Sequence, residues 1–79
     1  MNIKFNPSQS DAMNFWLIEE KIVNIANEKG LKVTQIIDKF MLEIKENPEL
    51  IKTQKIGNVN EVVNKLKEYL LKMRKRYAQ

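Results

Sequence analysis

The sequence predicts a mainly α chain with one short N-terminal β-strand. Three observations carry this. Apolar residues recur at helical spacing over long parts of the 79-residue chain. Two such stripes are separated by a fully punctuated turn between Gly30 and Thr34. Residues 2–6 instead alternate polar and apolar, with a period of two.

The strand comes first. Asn2, Lys4 and Asn6 share one face, and Ile3 and Phe5 the other. Pro7 ends it, because proline cannot donate to a ladder. Five residues make no sheet alone, so the strand needs a partner, and a second copy across a two-fold axis supplies one.

Ser8, Ser10 and Asp11 are helix-start residues, with Ser10 or Ser8 as N-cap. The first helix is expected over 11–29. Its stripe is Phe15, Ile18, Ile22, Ile25 and Ala26, widened by Trp16, Leu17 and Val23. Trp16 reads as core or interface. Glu19 and Glu20 are adjacent, point about 100° apart, and read as a solvated face rather than an acid–base pair. Gly30 then suits the left-handed C-terminal position.

Thr34 is placed to cap a second helix over 34–47, with its hydroxyl accepting from an orphan N–H. Its apolar face is broad, with Ile36, Ile37, Phe40, Met41 and Ile44. Its polar face retains Gln35, Asp38, Lys39 and Glu43. Asn47-Pro48 breaks the helix. A short helix over 48–53 fits the sequence, and 52–57 reads as a linker.

Asn58 and Glu61 have capping-box spacing and open a last helix that runs to Tyr77. Val59, Val63, Leu66, Leu70, Met73 and Tyr77 form a heptad-like stripe, widened by Val62 and Tyr69. The stripe suits packing on the chain's own core, a seam to a second subunit, or a protein partner's groove.

Composition narrows the chemistry. The chain has no cysteine and no histidine, which excludes disulfides, the usual zinc sites and histidine catalysis. With two glycines and no glycine-rich phosphate loop, no catalytic constellation is left, and neither an enzyme nor a cofactor or metal is expected. No apolar run approaches the roughly 20 residues that cross a bilayer, and the N-terminus lacks a signal-peptide core, so a cytoplasmic location is expected. The net charge of +4 is uneven. Residues 1–31 hold three lysines against four acids, and residues 59–79 hold six cations against two acids. Lys72, Arg74, Lys75 and Arg76 concentrate it, in a cluster suited to phosphate or to a helix C-terminus.

The order of elements, with the spacing Ala26, Gly30, Thr34, Ile36-Ile37 and Phe40-Met41, resembles the ribbon-helix-helix family of small dimeric DNA-binding repressors. The resemblance covers roughly residues 2–45. It implies a ribbon-helix-helix dimer plus an extra C-terminal helix, binding double-stranded DNA in sequence-specific fashion as a plasmid- or phage-type repressor. Residues 1–47 would be the DNA-binding and dimerisation region, 48–57 a linker or short helix, and 58–79 a basic helix packed on the same domain. Asn2, Lys4 and Asn6 would contact bases. Lys32, Val33 and Thr34 at the helix start would hold phosphate, and Lys72, Arg74, Lys75 and Arg76 would add to that. Phe5, Ile36, Ile37, Phe40 and Met41 would form the dimer core, and higher-order assembly on DNA is compatible.

The chain departs from the family in that Phe5 lies about two helical turns too far upstream of Ala26. The strand then lies either at 2–6 or at 12–17, where Met13, Phe15 and Leu17 would face inward and Asn14 and Trp16 outward. A tryptophan on a DNA face is unusual, which favours 2–6. The same turn also resembles a helix-turn-helix, in which Lys32, Val33, Gln35 and Lys39 would enter the groove. A third expectation is an antitoxin or other protein-binding helical module that uses the C-terminal helix.

Overall fold

In the computed structural model of the chain, the described residues are 3–4, 8–47, 51–52 and 59–78. Helix α1 (Asp11–Lys29) starts where Ser10 Oγ accepts from the Met13 N–H at 3.2 Å. The start is held further by Asn14, a buried polar side chain whose amide donates to the Ser10 carbonyl at 3.0 Å. At the other end Gly30 adopts φ 66°, and Leu31 N–H returns to the Ala26 carbonyl at 2.9 Å. That six-to-one bond closes the helix and reverses the chain.

Helix α2 (Val33–Glu46) begins one residue earlier than expected. Lys32 is its N-cap, with extended backbone, and Thr34 is already inside the first turn. The Gln35 side-chain oxygen reaches back to the Lys32 N–H at 3.0 Å. This bond ties the N-cap residue to the first turn, and Thr34, already helical, is not the cap. Helix α2 ends as Asn47 N–H bonds to the Glu43 carbonyl at 2.8 Å, just before Pro48.

Helix α3 (Val59–Tyr77) completes the core. Val62, Val63, Leu66, Leu70 and Met73 are buried against Phe15, Ile18, Ile22, Ala26, Ile36, Ile37, Phe40 and Ile44. Val23, Ile25, Met41 and Tyr69 pack at its edge. The Phe15 and Tyr69 rings lie 5.5 Å apart, at an aromatic-pair distance that ties α1 to α3.

This architecture overturns the expected fold class. The described residues form a small three-helix domain rather than a ribbon-helix-helix dimer with an appended helix. The ribbon reading required α2 to bury its broad face in a symmetry mate. Here α3 of the same chain fills that face, so Ile37, Ile44, Leu66, Leu70 and Met73 are fully buried within one copy. At the N-terminus, Ile3–Lys4 pairs in parallel with Ile51–Lys52 of the same chain. That is two residues long, parallel and internal, whereas the ribbon needs an antiparallel partner from another copy. The alternative strand at 12–17 is also excluded, because those residues lie inside α1.

Candidate nucleic-acid interface

The first turn of α2 and the last turn of α3 meet at one end of the domain. Lys32, Val33 and Thr34 line one side of a groove of about 530 Å³, and Arg74, Tyr77 and Ala78 line the other. The local reason is the antiparallel run of α2 and α3, which sets the free N–H groups of one beside the cation-rich end of the other. A helix N-terminus favours an anion, and the basic last turn of α3 complements its own dipole while adding positive charge. Four of the seven side chains expected to contact phosphate thus share a single groove.

The C-terminal cations divide into two kinds. Arg74 forms a two-pronged pair with Asp38, with Nε to Oδ1 at 2.8 Å and Nη2 to Oδ2 at 3.2 Å. The Arg74 hydrogen bonds, with its charge, hold the Asp38 carboxyl below the ordinary range. Arg76 donates to Glu19 Oε1 at 2.7 Å. Lys72 and Lys75 are exposed and have no ion pair among the described residues.

Glu19 is the residue that sequence reasoning missed. Its side chain is only 14 % exposed, far from the solvated position expected for it. Oε1 also accepts from the Tyr69 hydroxyl at 2.6 Å, and Oε2 accepts from the Tyr77 hydroxyl at 3.3 Å. Burial opposes the charge, but hydrogen bonds from Tyr69, Arg76 and Tyr77 prevail and lower the carboxyl's pKa. Burial and the carboxylate together push the Tyr69 phenol up, so it remains a donor. The available signal was the spacing of Tyr69, Arg76 and Tyr77, which puts three donors along one side of α3. Nothing in that spacing selects Glu19 over Glu20, which is exposed.

The other expected site residues fall as follows. Asn2, Phe5 and Asn6 lie outside the described residues, as does the side chain of Lys4. Gln35 and Lys39 are exposed on α2, with Gln35 also serving the helix start. Ile36, Ile37 and Phe40 are in the chain's own core, with Met41 at its edge. The apolar stripe of α3, for which the chain's own core, a second subunit and a protein partner were the expected alternatives, packs on the chain's own core, with Tyr77 left exposed. Trp16 is 54 % exposed and is not core. Among the described residues no cluster of acids could hold a metal ion, and no helix is long and apolar enough to cross a membrane.

No protein-family model matches the chain, and no match was found among curated proteins or solved structures.

Proposed function

We propose that the protein is a regulator that binds double-stranded DNA, with the start of α2 presented to the duplex and the cationic end of α3 on its phosphates. The observation that carries this reading is the groove in which Lys32, Val33 and Thr34 face Arg74 and Tyr77. Backbone N–H groups at a helix start position a protein on phosphate, while exposed side chains of the same helix reach base edges. Gln35 and Lys39 are those side chains here, in the manner of a helix-turn-helix.

Asp38 on the outward face of α2 would repel phosphate, but Arg74 neutralises it through two hydrogen bonds. Lys72 and Lys75 remain for phosphate because no acid among the described residues engages them.

The test is selection of bound duplexes from a randomised pool at physiological salt. A recovered motif that Gln35→Ala relaxes supports base reading from α2. Binding with no motif, lost as salt rises, reduces the activity to phosphate attraction. No binding at low salt refutes the reading.

A further inference from the structure

Two surface features on opposite flanks of α1 complement one another. The first is a knob. Met13, Trp16 and Leu17 stand exposed at helical spacing on α1, with Trp16 the most exposed of the three. Glu20 lies one turn beyond Trp16, is exposed, and has no ion-pair partner among the described residues. The knob is therefore apolar with an acidic rim.

The second is a groove of about 160 Å³ between α1 and α2. Ile25, Ile36 and Phe40 form its apolar floor, and Lys29, Lys39 and Glu43 its rim. Lys29 and Lys39 are exposed and have no ion pair among the described residues, whereas Glu43 has a partner. An enclosed apolar cavity of roughly 150 Å³ holds one benzene ring, so this open groove has room for the edge of an aromatic side chain. Its free rim charges are positive, opposite to the knob's.

Trp16 and Ile25 are nine residues apart in the sequence, about two and a half helical turns, so they lie on opposite sides of α1. A copy cannot fill its own groove with its own knob. For the same reason a knob-into-groove contact between two copies leaves one free knob and one free groove.

We propose that the protein self-associates head to tail, Trp16 of one copy entering the Ile25, Ile36 and Phe40 groove of the next with Glu20 set toward Lys29 and Lys39. The contact is heterologous, so it extends into an open chain instead of closing as a two-fold dimer. It uses neither Lys32 nor the C-terminal cations, but it shares Lys39 with the proposed base-reading face of α2, so its test is run without DNA.

Trp16 is the single tryptophan, so its emission reports its own burial. Sedimentation velocity and tryptophan fluorescence, from micromolar to near-millimolar protein without DNA, test the proposal. The expected result is an average mass that climbs past the dimer, with emission shifting to shorter wavelength as it does. Trp16→Ala and the pair Lys29→Glu with Lys39→Glu should each stay monomeric, with helical circular dichroism retained because all three positions are exposed. Mixing those two variants should produce a capped dimer that grows no further, since one still has a groove and the other a knob. A wild-type chain that remains monomeric throughout overturns the proposal. So does association that Trp16→Ala abolishes but the lysine reversals leave intact, or a mixture that stays monomeric.

Discussion

The α1–α2 turn and the α3 seam join the same domain by opposite means. The turn is local. Gly30, Leu31, Lys32 and Gln35 bond only to residues within one or two turns of themselves. The seam is long-range, since Tyr69, Arg74, Arg76 and Tyr77 reach residues 36 to 58 positions away. The turn is set by backbone conformation and the seam by burial and charge. Within the seam, Arg74 forks onto Asp38 and Arg76 donates once to Glu19, while the lysines stay solvated, in keeping with the different geometries of the two cations.

The largest expected effect comes from opening the seam. Leu66 is fully buried, and Leu66→Ala should destabilise the protein by about 2–5 kcal/mol in urea denaturation. A loss as small as that of a surface substitution would mean that α3 does not complete the core.

Removing the seam's polar anchor should cost less. Glu19→Ala should lower stability by about 1–2 kcal/mol, the lower part of the range for charged hydrogen bonds because Arg76 and Tyr77 are exposed. The same group gives a pH dependence. The folded pKa values of Glu19 and Asp38 are lowered, so the folded state binds fewer protons than the unfolded one in this range. Their contribution is fully present above the unfolded carboxylate range, about pH 4, and is lost as pH falls through the folded values below it. Thermal denaturation of Glu19→Gln across this range should have a shallower acid slope than wild type.

Breaking the turn should cost about 1 kcal/mol. A Cβ at Gly30 meets no atom within 4 Å, so Gly30→Ala carries only the penalty of a positive φ. A much larger loss would show that the turn carries packing as well as conformation.

The smallest effect on stability separates lysine from arginine. Lys72→Gln with Lys75→Gln should leave the melting temperature unchanged. On the proposed function, the same pair should reduce the salt slope of DNA binding by about 2, since each phosphate no longer neutralised lowers it by about 0.9. A drop in melting temperature with no change in slope would place these lysines in the fold instead.

Much of the local structure is legible in the sequence. The bounds of α1, the Ser10 cap, the Gly30 turn and the inward stripe of α3 follow from neighbours a few residues apart, where hydrogen bonding and periodicity act. The absence of cysteine and histidine is likewise a matter of composition. The start of α2 differs by one residue from its expected place because Lys32, rather than Thr34, takes the extended N-cap conformation, with the Gln35 side chain bonding back to its N–H.

Tertiary structure alone decided which stripe met which. The broad face of α2 fits a symmetry mate or α3 equally well by pattern, and apolar burial is not directional enough to encode the choice. Arg74 and Arg76 look like two members of one cationic cluster until the packing of α3 brings Asp38 and Glu19 beside them. Trp16 belongs by spacing to the edge of a buried stripe, yet the packing of the three helices leaves it in solvent. Partner choice across fifty residues depends on how three helices pack together, and no short spacing in the chain records that.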